Sequence, residues 1–205
     1  MWGRLFAYPW NFGAGRCVAP GMKNTRTLTA GLALAAGLAF AGLSPAQADP
    51  VAVTARPAPA VCPSQWVNGT PAAQAGRVTV LLFWTRDCIN CKHNLGFWNG
   101  WAKKYVGSDV SVVSIHTPET RSERSPTQTA RFARQHGLEF PIAIDNDEKI
   151  WNAYRIESWP TEVLVDKRGR IRAEYAGELN WQGSHEERVV TAKIEGLRAE
   201  QTARR

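Results

Sequence analysis

The chain has 205 residues, of which 44% are hydrophobic and nine are tryptophan, and its formal net charge is +7. This length corresponds to one ordinary domain plus a tail or targeting segment, and the apolar fraction is sufficient to form a core. Four basic residues precede residue 49, and from Asp49 onward 21 basic residues stand against 18 acidic ones. No basic stripe alternates with stacking aromatic residues, so we expect no nucleic-acid partner.

Residues 1–48 are predicted to be an export signal region. A short basic stretch starting at Met22 leads into an apolar run from Leu28 to Leu43, followed by the small-residue pattern Ala46-Gln47-Ala48. This three-part layout is typical of a secretory signal. The apolar run of 16 residues is shorter than the roughly 20 that a spanning helix needs. We therefore expect cleavage after Ala48 rather than a membrane anchor, and Met22 as the true start, since residues 1–21 fit no signal layout.

An Ala- and Pro-rich segment, residues 49–65, is predicted to link the signal to a folded domain of residues 66–205. In that domain, strands and helices alternate. The first predicted elements are a buried strand over 78–84, a helix over 89–105, a strand in DVSVVSIHT, a helix in SPTQTARFARQHG and a strand in FPIAID. A helix in DEKIWNAYRI follows, capped by Asp145 or Asp147. The last elements are an alternating hairpin in TEVLVDKRGRIRAEYAG with Gly169 at its turn, and a helix starting at Ser184 with Glu187 in a capping box. This order predicts a three-layer α/β fold with a mixed central sheet flanked by helices.

Two cysteines lie in the stretch FWTRDCINCKHN, residues 83–94. Structural zinc normally needs a second pair of ligands, and covalent haem needs a histidine directly after the second cysteine, so both uses are disfavoured. A structural disulfide is also disfavoured because it would close a very short loop. Cys88 is expected at an exposed helix N-terminus, where the helix dipole favours thiolate, with Cys91 on the buried face one turn later. This arrangement predicts a redox pair.

A third cysteine, Cys62, would remain in the exported chain, and an odd number is awkward for a structural disulfide framework. Cys62 lies in a proline-flanked segment well before the motif. We predict that Cys62→Ser retains insulin-reducing activity, and that any disulfide formed by Cys62 is intermolecular or adventitious.

Several segments in a fixed order resemble a known family. FWTRDCINC, SIHTPET, HGL, FPIAIDNDEKIWNAYRI and WPTEVLVDKRGRIR are similar to segments of the extracytoplasmic thioredoxin-like proteins of the TlpA and ResA type, nearest the DipZ-like thioredoxin domain. The resemblance implies a thioredoxin fold with a helix-strand insertion, and thiol–disulfide exchange on protein substrates, for example in cytochrome c maturation. It also implies that Cys88 is the nucleophile, Cys91 the resolving thiol and Pro160 a cis-proline beside them. We expect no metal and no cofactor.

Two positions depart from that family pattern. Where related reductases often carry a buried acid on the strand before the motif, this chain has Leu82, and a glutamate typical of the ResA type is replaced by Asn94. The group that accepts the proton of Cys91 is therefore left open between His93, His116 and water.

Two tryptophans are expected to face substrate. Trp84 immediately precedes the motif loop and is predicted to be both a core wall and a flank of the site. The backbone of Trp159, beside the expected cis-proline, is predicted to pair with a substrate segment.

The residues around Cys88 predict the direction of electron flow. The dipeptide between the cysteines, Ile89-Asn90, carries no cation, and Asp87 opposes thiolate formation, although Arg86 and Lys92 partly offset that charge. We therefore expect a reductant that a membrane electron donor keeps reduced. We also expect the protein to act as a monomer. The alternative is a copper-handling module that uses Cys88, Cys91 and a histidine, but no methionine follows Asp49.

Overall fold

The computed structural model describes residues 17–18 and 55–200. The strands are β1 (Arg56–Pro57), β2 (Gln65–Val67), β3 (Val78–Trp84), β4 (Val110–His116), β5 (Ile142–Ile144), β6 (Thr161–Val165) and β7 (Arg170–Ala176). The helices are α1 (Ile89–Lys104), α2 (Pro126–Gln135), α3 (Lys149–Tyr154) and α4 (Glu186–Ala199), with 3-10 turns at Arg121–Arg124 and Trp181–Gly183.

The seven strands form one mixed sheet in the order β1-β7-β6-β3-β4-β5-β2. β3 pairs in parallel with β4 and β4 in parallel with β5, whereas β6 runs antiparallel to β3. Every residue of β3 is buried, as expected of a central strand covered on both faces. The predicted mixed sheet is confirmed, and α2 and β5 supply the expected additional helix and strand.

Each face of the sheet has its own apolar core. Alternate residues of β3, such as Leu82 and Leu81, point into opposite clusters. The Leu82 cluster contains the inner faces of α1, α2 and α4, and the Leu81 cluster contains that of α3. This is the predicted three-layer arrangement.

The first turn of α1 lies at the carboxyl edge of the central strands, because β3 leads directly into the helix through residues 85–88. The crossover through α1 makes β4 parallel to β3, with Trp84 opposite His116 at the strand ends. The sheet therefore brings the motif and the end of β4 to one edge.

Three local predictions need correction. Part of the predicted linker belongs to the sheet, because β1 pairs with β7. α4 begins at Glu186, and its N-cap residue His185 makes no side-chain capping bond, so the capping box at Ser184 does not form. β6 does not alternate between buried and exposed positions, because all five of its residues are buried.

The N-cap residue of α3 is Glu148, which makes no side-chain capping bond. Asp145, one of the two predicted capping residues, supplies the capping carboxylate from three residues earlier. Its carboxylate accepts the backbone N–H groups of Ile150 and Trp151 at 3.0 and 2.9 Å.

Cys17 and Cys62 form a disulfide within the chain. Val18 and Val61 exchange two backbone hydrogen bonds of 2.8 Å, and this short bridge brings the two cysteines together. The prediction that any disulfide of Cys62 is intermolecular or adventitious is therefore wrong in this structure.

The predicted signal, including the start at Met22 and the cleavage after Ala48, lies outside the described residues. Within residues 17–18 and 55–200, no helix combines the length and the apolar character that crossing a membrane requires.

Candidate active site

Cys88 is the N-cap residue of α1. Its sulfur accepts the backbone N–H of Cys91 at 3.2 Å, which is the contact an N-cap side chain makes with the third helical residue. No acidic residue lies in the first turn of α1, so the partial positive charge of the helix N-terminus is not offset there. The half-buried Cys88 sulfur thus lies at the N-terminal end of the helix, where it is accessible to solvent.

Cys91 lies on the inner face of the same turn and has no accessible surface. Burial raises the pKa of its thiol strongly, and the hydrogen bond with Cys88 and the nearby charge of Glu162 act in the same direction. Both cysteines are present as thiols. The Cys88 thiol is thus accessible, whereas the buried Cys91 thiol needs a nearby group that accepts its proton.

The loop before β6 closes the site on the side opposite α1. The Trp159–Pro160 peptide bond is cis, as predicted. The carbonyl oxygen of Trp159 lies 3.9 Å from the Cys88 sulfur, although the two residues are 71 positions apart in sequence. The half-buried indole of Trp159 packs against Trp151, with ring centroids 4.3 Å apart and planes tilted by 34°. The backbone of Trp159 is therefore beside the accessible thiol.

Trp84 lies in the core cluster that contains Cys91 and is not exposed to a substrate. It has no accessible surface and packs against His116 and Phe132, with ring centroids 5.1 and 5.6 Å away. The predicted core-wall role is consistent with this position, whereas contact with a substrate is not, because the central strand is covered on both faces.

A buried carboxylate holds the loop that leads into Cys88. Glu123 accepts the backbone N–H groups of Asp87, Glu119 and Thr120 at 2.8–3.0 Å, as well as the hydroxyl of Thr85. Burial alone would raise the pKa of Glu123, but these donors together lower it. Glu123 is therefore ionised, and its hydrogen bonds hold in place the loop that leads into the motif.

A second buried carboxylate lies below Cys91. Glu162, on β6, has no accessible surface, and its Oε1 accepts the indole N–H of Trp98 at 2.8 Å and the amide of Asn94 at 3.1 Å. No donor among the described residues reaches its Oε2. Burial raises the pKa of Glu162 to about 8 despite the two donors.

Neither histidine proposed as a proton acceptor is well placed. His93 lies on the outer side of α1, where its Nδ1 is 3.0 Å from Glu178 and its side chain is 56% exposed. His116 is completely buried, and burial lowers its pKa to about 4, so it is neutral at pH 7. No described residue forms a hydrogen bond with either of its ring nitrogens.

The sequence interpretation missed Glu162 and Glu123. The signal for Glu162 was a single acid within the apolar segment TEVLV. The only signal for Glu123 was its spacing of three residues after Thr120, which is that of a capping box.

The copper alternative gains no support from these positions. Within the described part of the chain, no three His, Cys, Asp or Glu side chains are grouped so that they could hold a metal ion.

The sequence profile of the AhpC/TSA family matches residues 64–174, slightly more than half of the chain and the part that contains the motif, the cis-proline and Glu162. This chain belongs to the AhpC/TSA family. Protein DipZ of Mycobacterium bovis is 38% identical over 103 residues, which is 50% of this chain and 15% of DipZ. The thiol-disulfide oxidoreductase ResA of Bacillus thuringiensis is 31% identical over 103 residues, which is 50% of this chain and 57% of ResA.

The comparison of folds agrees with the family. The crystal structure of a thioredoxin-like superfamily protein superposes with a TM-score of 0.63 at 23% identity, covering 71% of this chain and 97% of the other. The thioredoxin-like fold that the resemblance implied is confirmed.

Proposed function

We propose that this protein is an exported thiol–disulfide oxidoreductase that reduces disulfides in protein substrates, for example during cytochrome c maturation. The observation that carries the proposal is the unequal placement of the two thiols. Cys88 is accessible at the N-terminus of α1, while Cys91 is buried one turn inward with its N–H on the Cys88 sulfur. DipZ and ResA, which share about half of this chain, support it.

This geometry suits a two-step exchange. The Cys88 thiolate attacks a substrate disulfide, so that a Cys88–substrate bond forms and one substrate thiolate leaves. Cys91 then loses its proton and attacks Cys88, which forms the Cys88–Cys91 disulfide and releases the second substrate thiolate. The substrate gains two electrons, and the protein loses two.

The backbone of Trp159 is the proposed contact for the substrate chain. An extended segment that pairs with this backbone would place its disulfide next to Cys88, since the Trp159 carbonyl is 3.9 Å from the sulfur. Pro160 follows directly and, in this proposal, presents that backbone to the substrate.

Trapping tests the division of labour between the thiols. Cys91→Ala should accumulate mixed disulfides with protein substrates, because the second step is blocked, whereas Cys88→Ala should form almost none. Alkylation followed by non-reducing electrophoresis and mass spectrometry identifies the trapped proteins. Equal trapping by the two variants would contradict the proposed roles.

We also propose that electrons flow from this protein to its substrates. The nearest cation before the motif, Arg86, is directed to Asp87 at 3.3 Å, Gln128 at 2.9 Å and the Ser122 carbonyl at 3.1 Å. The guanidinium group of Arg86 is therefore held by these three acceptors and not by the Cys88 sulfur. Equilibration against dithiothreitol or glutathione buffers should give a potential well below the roughly −120 mV of a strong oxidant, and a value near that limit would contradict the reductant role.

Export and a membrane electron donor complete the proposal, with the protein acting as a monomer. Mass spectrometry of the protein isolated from its native cells tests where the mature chain begins. A start near Asp49 agrees with the predicted cleavage and leaves Cys62 without Cys17. Recovery of a Cys17–Cys62 cross-linked peptide would instead show that the upstream segment is retained.

A further inference from the structure

The two oxygens of Glu162 have different surroundings. Oε1 is held by the side chains of Asn94 and Trp98, whereas Oε2 is buried and receives no donor from the described residues. A buried polar atom without a partner costs free energy, so its retention in a core needs a reason. A role in which Oε2 takes up a proton would supply one.

The contacts of Glu162 place it below the resolving thiol. Asn94 and Trp98 lie three and seven residues after Cys91, on the same face of α1. Glu162 is also the register partner of Leu82 on β3, and Leu82 belongs to the core cluster that contains Cys91. The carboxyl group therefore lies between the sheet and the face of α1 that carries Cys91, under the turns that follow this residue.

The other groups that face Glu162 are few. On β7 its register partner is Tyr175, whose buried hydroxyl has no partner among the described residues. At the start of α4, the charge of Glu186 disfavours ionisation of Glu162. On α1 the titratable neighbour is Cys91, and on β3 the neighbour is the apolar Leu82. None of these groups is a cation that would hold Glu162 permanently ionised.

We propose that Glu162 accepts the proton of Cys91 when Cys91 resolves the mixed disulfide. This inference rests on the proposed function and deepens it. The S–H bond of Cys91 breaks while the Cys91–Cys88 bond forms and the Cys88–substrate bond breaks. Because no hydrogen bond joins Oε2 to Cys91, the proton reaches Oε2 through one water molecule. The electron pair leaves with the substrate sulfur, which solvent then protonates. When the Cys88–Cys91 disulfide is reduced again, Glu162 returns the proton to Cys91.

The protonation behaviour of Glu162 fits this exchange. With a pKa of about 8, the group is neither permanently charged nor permanently neutral near neutral pH. About a tenth of it is ionised at pH 7, and most of it above pH 9. The resolving step should therefore accelerate with pH and level off above a midpoint near 8.

The test uses dithiobis(nitrobenzoate), a symmetrical aromatic disulfide, mixed with the reduced protein in a stopped-flow instrument. Attack by Cys88 releases the first coloured thiolate, and resolution by Cys91 releases the second. Cys91→Ala identifies the second phase by removing it. Absence of the first phase would contradict the proposed function itself, whereas the behaviour of the second phase tests Glu162.

We expect Glu162→Gln to slow the second phase about 100-fold at high pH and to abolish its midpoint near 8, while the first phase keeps its rate. Asp145→Asn is the matched control, because it makes the same chemical change at another buried carboxylate, which caps α3. Its second phase should keep the wild-type pH profile. A Glu162→Gln variant with the wild-type rate and profile would overturn the proposal.

Two further measurements distinguish a loss of proton transfer from a defect in the folding of Glu162→Gln. Glu162→Asp keeps the acid but withdraws it by one methylene, so the second phase should slow and still level off with pH. The wild-type profile is informative by itself. A second phase that rises tenfold per pH unit without levelling off near pH 8 would indicate uncatalysed ionisation of Cys91 and would overturn the role of Glu162.

Discussion

Two buried glutamates lie near the motif, one on each side of it, and their surroundings differ. Glu123, in the turn after β4, receives three backbone N–H groups and one hydroxyl. Glu162, on β6, receives two side-chain donors on one oxygen only. The pKa of Glu123 is lowered and that of Glu162 is raised to about 8.

Both side chains are almost completely inaccessible, and their pKa values differ because Glu123 has more donors and because Glu162 lies deeper in the core. Desolvation penalises the charged form of each, and only Glu123 has enough donors to overcome that penalty. One carboxylate is therefore a fixed structural charge, and the other is able to exchange a proton. The hydrogen bonds of a buried acid next to a redox pair therefore indicate its role better than the accessibility of its side chain does.

The largest expected effect is the loss of the structural carboxylate. Glu123→Ala leaves the Thr85 hydroxyl and three backbone donors without their acceptor, and such losses cost about 3–5 kcal/mol of unfolding free energy. Urea denaturation measures this cost. Glu119→Ala is the control, because it keeps the backbone N–H that Glu123 binds, and it should change stability little. A loss below about 1 kcal/mol in Glu123→Ala would show that Glu123 does not anchor the loop.

The two glutamates should also give opposite dependences of stability on pH. The pKa of Glu162 is raised in the folded state, from 4.5 to about 8. Its stabilising effect is therefore complete below about pH 4.5 and is lost as pH rises through about 8. The expected loss in the wild type, relative to Glu162→Gln, is on the order of 2–4 kcal/mol between these limits.

For Glu123 the sign is reversed. Its folded pKa is lowered from 4.5, so its contribution is present above about pH 4.5 and is lost as pH falls through the lower folded value. Urea denaturation at several pH values separates the two groups. Equal slopes for the wild type and Glu162→Gln between pH 5 and 8 would contradict the raised pKa of Glu162.

Removal of one donor should increase the difference between the two acids. Trp98→Phe deletes the indole N–H that binds Oε1 of Glu162 at 2.8 Å, and a hydrogen bond to a charged group is worth about 1.5–3 kcal/mol. The pKa of Glu162 should rise by roughly one unit, and the midpoint of the resolving step should rise with it. Trp101→Phe is the control, because its indole binds Thr191 instead. An unchanged midpoint in Trp98→Phe would contradict the link between this donor and the resolving step.

The sequence predicted the positions of site residues that lie close together in the chain. It predicted less well the positions of residues that only the fold brings together. Cys88 and Cys91 are placed by a local pattern, a buried strand followed by an amphipathic helix. Pro160 and Trp159 came only from the family resemblance, since nothing local places them beside a thiol 71 residues away.

The sequence of β6 alone did not identify Glu162 as a core residue. Strand alternation assigns a side chain to one face or the other, but it does not show whether both faces are covered. The helices of both layers cover β3 and β6, so Trp84 becomes inaccessible and Glu162 becomes a core residue. The number of layers over a strand is a property of the whole fold; the unbroken apolar run of β3 indicates it, whereas β6, which carries Thr161 and Glu162, does not.

The smallest expected effect concerns His93, which the sequence left open as a proton acceptor for Cys91. Its Nδ1 lies 3.0 Å from Glu178, and its side chain is 56% exposed, so solvent screens the pair and its loss should cost less than about 1 kcal/mol. Because Cys91 is on the inner face of α1 and His93 on the outer side, His93→Ala should leave the rate and the pH midpoint of the resolving step unchanged. The stopped-flow assay with dithiobis(nitrobenzoate) measures both. A slower resolving step in His93→Ala, combined with an unaffected Glu162→Gln, would move the proton transfer to the outer side of the helix and remove the functional difference between the two buried glutamates.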